Sequence, residues 1–249
     1  MSGHSKWASI KHKKAIVDSR RGARFTKLAR AITVAARDGG GDPAANAPLE
    51  NAIGKAKAAS MPKDNIERAI SKGTGEGGEA DAIETVLYEG YGPGGVAVLV
   101  EALTDNRNRT GADVRHAFSK YGGSLGEPGS VAYLFEKKGT IAIDATRYSE
   151  DELMVAVEAG AEDISTDEDI LEVIAALADF AAVRVALEEA GVELESAELA
   201  YVPSSLVSID ESQASRLMKL IDALEDLDDV DEVYANFDVP ADVLERVAG

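Results

Sequence analysis

The amino-acid sequence predicts an α+β protein in which a small N-terminal helical bundle is followed by two ferredoxin-like α+β domains. Residues 23–72 show the 3.6-residue apolar period of helices, whereas strand and helix patterns alternate after residue 79. The charge also reverses between these regions. Residues 1–75 carry 15 Lys and Arg against 6 Asp and Glu, and residues 76–249 carry 11 against 39. We therefore expect a basic N-terminal domain, residues 1–75, joined to an acidic body.

The first helix is predicted over residues 23–37. Its apolar face is formed by Phe25, Leu28, Ala29, Ile32 and Ala36. Its opposite face carries four cations, Arg24, Lys27, Arg30 and Arg37. The glycines at 39–41 and Pro43 end this helix, because glycine suits the left-handed cap conformation and proline cannot continue a helix.

Two further helices complete the predicted bundle. The second begins near Asn46, with Pro48 in its first turn, and the third follows Pro62. Their inward-facing positions are Leu49, Ala52, Ile53, Ala56, Ile66, Ala69 and Ile70. Three short amphipathic helices are the smallest set that buries a shared core. The glycine-rich stretch 73–78 then has the composition of a flexible linker, and we place a domain boundary there because the charge changes sign.

The body is predicted to alternate strands and helices, which is typical of ferredoxin-like domains. Its length indicates two such units, and one of them is a candidate for insertion into the other. Ser149 and Glu152 have the spacing of a capping box, and Asp210 is the expected cap of a long helix ending near residue 227. The other predicted helices cover residues 110–121 and 179–191. The predicted strands cover residues 85–89, 96–103, 131–135, 140–143, 170–175, 199–202 and 233–239.

Catalytic and metal-binding patterns are missing from the sequence, so we expect a non-enzymatic protein with no cofactor and no metal. The chain contains no Cys, and His4, His12 and His116 lack the paired spacing of metal ligands. The glycine-rich stretches 73–78 and 90–95 lie in the wrong context for a nucleotide-binding loop.

The acidic runs 162–169 and 225–232 lack the central Gly and terminal Glu of a calcium loop, and we interpret them as solvated faces. No apolar run is long enough to cross a membrane, and no apolar segment follows the basic N-terminus as in a secretory signal. A cytoplasmic location is therefore expected.

The clustered cations of the N-terminal region are the main functional signal, because Lys and Arg release counterions from a phosphate backbone. We expect nucleic acid to contact the tail and the first helix. The expected contact residues are His4, Lys6, Trp7, Lys11, His12, Lys13, Lys14, Arg20, Arg24, Lys27, Arg30 and Arg37. Trp7 has two interpretations, since it either anchors the tail to the bundle or stacks on an unpaired base.

A second candidate anion site is the segment 104–110. It connects the end of a predicted strand to the start of a helix, where free backbone amides favour anions. Arg107 and Arg109 are among only 11 Lys and Arg in residues 76–249, so we add them to the expected nucleic-acid contacts. Asp105 has the alternative role of capping the helix.

Several motifs resemble the YebC/PmpR family of probable transcriptional regulatory proteins. The opening residues MSGHSKW are followed by IKHKK at 10–14 and DNIERA at 64–69. The body adds YEGYGP at 88–93, LTDNRNRT at 103–110 and GSVAYLF at 129–135. The resemblance covers the whole chain, and several long motifs in the same order make coincidence implausible.

The resemblance implies a helical N-terminal domain followed by two α+β domains, the last of them inserted in the second. We accordingly expect domain two at residues 79–134 with 206–249, and domain three at residues 135–205. The family label implies a DNA-binding regulator of transcription without catalytic residues. Related mitochondrial translational activators of cytochrome oxidase, and bacterial members linked to ribosomes stalled on proline-rich products, imply action on RNA at the ribosome.

Two functional classes stay open at this point. The first is a nucleic-acid-binding regulator of gene expression, acting on DNA or on ribosomal or transfer RNA. The residues favour RNA slightly, because the acidic body opposes extended contact with a duplex. The second is an adaptor whose acidic body binds a basic protein. Neither class involves a membrane or a small-molecule substrate.

Overall fold

The computed structural model describes residues 21–75, 83–167 and 169–248 of the chain. These residues form two compact units, one comprising residues 135–204 and the other residues 21–134 with 205–248. Within the described residues, no helix is long and apolar enough to cross a membrane.

The helices and strands are numbered here in chain order. The helices are α1 (Arg21–Gly39), α2 (Ala47–Ala58), α3 (Lys63–Gly73), α4 (Arg107–Lys120), α5 (Met154–Glu158), α6 (Phe180–Glu189), α7 (Glu211–Glu225) and α8 (Ala241–Ala248). The strands are β1 (Glu84–Tyr91), β2 (Ala97–Thr104), β3 (Ser124–Leu125), β4 (Phe135–Asp144), β5 (Ala161–Asp167), β6 (Ile170–Ala175), β7 (Leu194–Pro203), β8 (Val207–Ser208), β9 (Val230–Ala235) and β10 (Phe237–Asp238).

The N-terminal helices α1, α2 and α3 form the small bundle that the apolar period predicts. Asn46 caps α2, since its side-chain oxygen accepts a hydrogen bond from the Leu49 N–H at 3.1 Å. The shared core contains Ile32, Ala36, Leu49, Ala52, Ile53, Ala56, Met61, Ile66 and Ala69. The predicted inward faces of all three helices are therefore confirmed.

Gly73 belongs to the bundle rather than to a linker. It is the last residue of α3 and is buried against α1. A Cβ atom at this position would lie 2.3 Å from the carbonyl oxygen of Thr33 and 2.7 Å from the Cβ of Ala36. Glycine is thus needed here for close helix packing, which composition alone does not distinguish from linker flexibility. Residues 76–78 of the predicted linker lie outside the described residues.

The sheet of the larger unit is antiparallel, with the strand order β3-β1-β2-β9. Strands β1 and β2 form the predicted hairpin, in which Tyr88 is paired with Val100. Helices α4 and α7 share one core with this sheet, built around Val98, Val100, Phe118, Leu217, Met218 and Val233. Within this unit, a smaller cluster joins the helical bundle to the start of β1 and the end of β2, with Val34 of α1 packed against Ile83 and Leu103.

The smaller unit runs β4-α5-β5-β6-α6-β7, and its antiparallel sheet has the order β5-β6-β4-β7. This is the split β-α-β arrangement of a ferredoxin-like domain. Its core includes Ile141, Ile143, Leu153, Leu171, Val173, Phe180, Val183 and Leu187. The predicted capping box of Ser149 and Glu152 is present at the short turn Glu150–Leu153 that leads into α5. The α+β class with N-terminal helices is thus confirmed.

The strand predicted at 131–135 is wrong, because residues 132–134 form a short 3₁₀ turn and β4 begins at Phe135. The carboxylate of Glu89 explains this difference. It accepts hydrogen bonds of 2.7 Å from the backbone N–H groups of Gly129, Val131 and Ala132. These donors are therefore bound by a side chain and not by a neighbouring strand. Burial works to raise the pKa of Glu89, but the backbone hydrogen bonds outweigh it and lower the pKa.

Besides the two-residue strands β3 and β8, two longer elements were not predicted from the sequence. The acidic run 162–169, interpreted as a solvated face, contributes most of the edge strand β5. An edge strand needs few apolar residues, and here Ala161 and Ile164 supply the contacts to the core. The helix α8 lies beyond the last predicted strand, and its buried residue Leu244 joins the core of the larger unit.

We expect Gly73→Ala to destabilise the N-terminal bundle by about 2 kcal/mol, because the added methyl group would overlap backbone atoms of α1. Gly54→Ala is the matched control, since Gly54 lies in α2 with no atom within 4 Å of an added Cβ. That substitution should stabilise the helix by about 1 kcal/mol. Urea unfolding of both variants measures the two free energies, and equal midpoints would contradict the close packing.

Candidate nucleic-acid interface

The four cations predicted on one face of α1 have different environments in the structure. Arg24 is exposed. Lys27 and Arg30 instead contact the segment Glu225–Glu232, which we call the acidic segment because six of its eight residues are Asp or Glu. Arg37 pairs with Asp38 at 2.8 Å and also donates to the backbone carbonyl of Ile83.

The buried carboxylate of Asp229 is the centre of these contacts. Its side chain is only 7% exposed, and its Oδ1 lies 2.7 Å from Nη1 of Arg30. Its Oδ2 lies 2.7 Å from Nη2 of Arg109 and accepts a 2.6 Å hydrogen bond from the hydroxyl of Thr110. Arg30 and Arg109, both predicted to contact nucleic acid, are thus brought together by an acidic residue of the same chain.

The environment of Asp229 strongly favours its charged form. Burial alone would raise its pKa, but the hydrogen bonds from Thr110, Arg109 and Arg30 outweigh burial and lower the pKa to about 2. The main chain adds to this junction of α1, α4, β2 and the acidic segment, because the carbonyl of Asp229 accepts a hydrogen bond from the N–H of Leu103 at 2.8 Å. Arg30 also donates to the carbonyl of Leu103 at 3.0 Å. Asp229 therefore ties α1 and α4 to the end of β2.

Two lysines of the bundle make further contacts with the acidic segment. Lys27 Nζ lies 2.6 Å from the carbonyl oxygen of Glu225, and Lys55 Nζ lies 2.6 Å from Oε1 of Glu232. Burial lowers the pKa of Lys27, although the nearby carboxylates partly offset it. Burial, together with the charge of Glu232, raises the pKa of Asp231 to about 7. The junction therefore contains groups whose charged forms are poorly solvated.

These contacts correct two interpretations of the sequence. The run 225–232 is not only a solvated face, because Asp229 is buried and residues 230–232 begin β9. The cations of α1 do not form one exposed surface, because Lys27 and Arg30 are bound within the chain. Helical periodicity shows which residues share a face, but it does not show what packs on that face.

The segment 104–110 also differs from an open anion site. Asn106, and not Asp105, caps α4, since its side-chain oxygen accepts from the N–H of Arg109 at 3.1 Å. Arg109 is bound to Asp105 and Asp229, each at 2.8 Å or less. Arg107 is the more accessible of the two arginines, with 66% of its side chain exposed and Glu84 at 3.7 Å.

The remaining predicted contact residues lie outside the described residues. They are His4, Lys6, Trp7, Lys11, His12, Lys13, Lys14 and Arg20. The structure adds exposed cations of α2 and α3 that the sequence argument did not select. These are Lys57, Lys63, Arg68 and Lys72. Their positive charge was visible in the sequence, but their exposure follows from the way the three helices pack.

Comparisons with known proteins agree along the whole chain. Residues 5–76 match the model of the TACO1/YebC protein N-terminal domain, and residues 83–237 match that of the TACO1/YebC second and third domain. A probable transcriptional regulatory protein of Rubrobacter xylanophilus is 58% identical over the full length of both chains. Another of the same name, from Thermobifida fusca, is 52% identical over the full length of both.

A solved structure shows the same fold. The crystal structure of a conserved hypothetical protein from Aquifex aeolicus matches with a TM-score of 0.80 and 50% sequence identity. The match covers 91% of this chain and 93% of that one. The chain belongs to the TACO1/YebC family, which confirms the resemblance found in its motifs.

Asp229→Asn should lower the free energy of unfolding by about 2 kcal/mol near pH 7, because Arg30 and Arg109 lose their shared anion. The folded-state pKa of about 2 lies below the usual 3.8, so the stabilisation is complete above pH 4. It is lost as the pH falls from 4 towards 2, and the wild type and the variant should converge there.

Asp228→Asn is the control for this experiment, since it removes the same charge from an exposed side chain one residue away. We expect it to change the stability by less than about 0.5 kcal/mol. Denaturant unfolding at several pH values measures both variants. A difference between wild type and Asp229→Asn that stays constant from pH 7 to pH 2 would contradict the assigned role of Asp229.

Proposed function

We propose that this member of the TACO1/YebC family is a non-enzymatic regulator of gene expression that binds nucleic acid through its basic N-terminal region. The observation that carries the proposal is the reversal of charge along the chain. Residues 1–75 have a net charge of +9, whereas residues 76–249 have −28. A field of this kind directs a phosphate backbone to one end of the molecule.

Contacts within the chain support a smaller set of cations for the first contact with phosphate. Lys27 and Arg30 are bound to the acidic segment, so the first contacts with phosphates are assigned to the tail and to Arg24. The exposed cations of α2 and α3 extend this surface, namely Lys57, Lys63, Arg68 and Lys72. The tail contributes Lys6, Lys11, Lys13, Lys14 and Arg20, with Trp7 available to stack on an unpaired base.

Two features favour folded RNA over a DNA duplex. The acidic body would repel the phosphates of any duplex extending beyond the N-terminal region. The exposed face of α3 carries Asp64 and Glu67 beside Lys63 and Arg68, which is unfavourable for a helix inserted in a major groove. Ribosomal or transfer RNA at a stalled ribosome is therefore the target that we propose first.

Two other functions have one supporting observation each. The relatives from Rubrobacter xylanophilus and Thermobifida fusca are named probable transcriptional regulatory proteins, which favours DNA as the ligand. The 39 Asp and Glu of residues 76–249 favour an adaptor that binds a basic protein. The first alternative predicts that the protein binds DNA in cells, and the second predicts that it binds a basic protein.

Replacing Lys11, Lys13 and Lys14 with Ala should weaken binding to all nucleic acids and reduce the slope of log affinity against log salt by about 2, since each phosphate contact contributes about 0.7–0.9. The control removes three exposed cations of the body, Arg115, Arg216 and Lys219. Its slope should match that of the wild type. Fluorescence anisotropy at several salt concentrations measures both, and equal slopes for the two triple variants would exclude the tail from the interface.

Arg107→Ala should weaken nucleic-acid binding several-fold with little change in stability, because its side chain is exposed and its Glu84 contact is 3.7 Å long. Arg109→Ala should instead reduce stability, because Arg109 pairs with the buried Asp229. Anisotropy and thermal unfolding of both variants separate these roles. Wild-type affinity in Arg107→Ala would exclude the 104–110 segment from binding.

The proposal is tested directly by crosslinking the tagged protein in cells and sequencing the bound RNA and DNA together. Enrichment of ribosomal or transfer RNA at discrete positions would support action in translation. Enrichment at defined promoters would establish a DNA-binding regulator and overturn the preference for RNA. Recovery of a basic protein partner without nucleic acid would favour the adaptor.

A further inference from the structure

The contacts of Lys27, Arg30 and Lys55 resemble those that cations make with phosphate. Each lies within 2.7 Å of an oxygen atom of the acidic segment, and Lys and Arg bind phosphate oxygens at similar distances. We propose that the acidic segment occupies a phosphate-binding surface of the N-terminal bundle, formed by these three cations, and that nucleic acid displaces it. This inference rests on the proposed function and adds a mode of regulation to it.

The geometry supports a single binding surface. Lys27 and Arg30 are three residues apart on α1 and therefore lie on the same side of that helix. Lys55 belongs to the adjacent helix α2. All three are bound by one stretch of eight residues that carries six carboxylates, a charge density comparable to that of a nucleic-acid strand. The acidic segment thus meets the three cations with the carboxylates of Asp229 and Glu232 and the main-chain carbonyl of Glu225.

The contact has features of an exchangeable one. The side chains of Arg30 and Lys55 are 22% and 29% exposed, so a competing anion in solvent can reach them. Among the described residues, a small apolar cluster at this junction contains Val34, Ile83 and Leu103, with Ala31 at its edge. Ionic contacts at such a junction are weakened by salt and by competing polyanions.

Carboxylates also lie close to one another at the acidic segment. Asp231 lies beside the carboxylates of Glu232 and Glu101. If the three cations bind nucleic acid instead, Asp229 loses its contact with Arg30. Arg109 and Thr110 remain as partners of its carboxylate. Like-charge repulsion within the segment therefore lowers the net cost of displacement.

Such an arrangement would make binding selective, because the acidic segment competes with weakly bound nucleic acid. A tethered competitor has a high effective concentration, so an isolated phosphate contact is too weak to displace it. Only a ligand that places several phosphates along the tail and the bundle together can open the surface. The body would thereby suppress weak, non-specific binding, which is a way to gain specificity by penalising the wrong partners.

The test compares two double variants of the full chain, each of which removes two negative charges. Asp228→Asn with Glu232→Gln changes the acidic segment beside Lys27 and Lys55 and leaves Asp229 in place. Asp151→Asn with Glu189→Gln changes two exposed carboxylates of the smaller unit and serves as the control. Binding of a labelled 20-nucleotide RNA and of a DNA duplex is measured for both and for the wild type.

We expect the variant of the acidic segment to bind about fivefold more tightly than the wild type, and the control to change by less than about twofold. A second measurement follows acylation of Lys55 by an amine-reactive reagent, with the exposed Lys219 of α7, which lies outside the proposed interface, as internal reference. Lys55 should react faster in the variant than in the wild type, and bound nucleic acid should protect it.

Equal affinities of the two double variants would overturn the inference, as would nucleic acid that binds the variant without protecting Lys55. If the wild type binds through its tail lysines and these results are still negative, only the masking by the acidic segment fails. Absence of binding by the wild type and by every variant would overturn the proposed function together with the inference.

Discussion

The pairing of Asp229 with Arg30 and Arg109 is the interaction on which the larger unit depends. It joins a helix of the N-terminal bundle, the start of α4 and the loop before β9, three stretches that are far apart in the chain. A buried carboxylate is costly unless it is fully paired and hydrogen-bonded. Asp229 has all of its partners only when the three stretches are in place, so the docking of the bundle and the position of α4 are coupled.

Glu89 of β1 is a second buried carboxylate that is stabilised by hydrogen bonds. Its carboxylate is buried and accepts three backbone N–H groups from residues 129–132. A segment with a strand-like sequence is thereby held as a turn directly before β4 begins. In both places a single acidic residue sets the path of the backbone, and the acidic composition of the body is in part a structural feature.

The cations of the N-terminal region therefore have two kinds of environment. Some cations of the N-terminal region hold it against the body, and others are exposed. The family assignment and the names of the relatives agree with a regulatory role. Under the function and masking proposed above, the cations that the acidic segment binds would also bind nucleic acid, so folding and ligand binding would share these side chains.

Much of the fold could be predicted from short-range patterns. The apolar faces of α1, α2 and α3, the β1-β2 hairpin, the capping box at Ser149 and the cap at Asp210 all depend on residues that are close together in the sequence. The strand β5 and the helix α8 were missed, because an acidic edge strand and a short terminal helix have weak periodic signals. The accessibility of the candidate site residues could not be predicted in this way.

The sequence by itself determined the fold class, the positions of most helices and strands, the reversal of charge and the family. These properties are local or additive, so they can be derived from spacing and composition. Only the tertiary structure decided that Arg30 and Arg109 meet at Asp229, that Lys55 reaches Glu232 and that Gly73 is a packing residue. The physical reason is that a side chain's environment depends on residues up to about 200 positions away, which long-range packing alone brings into contact.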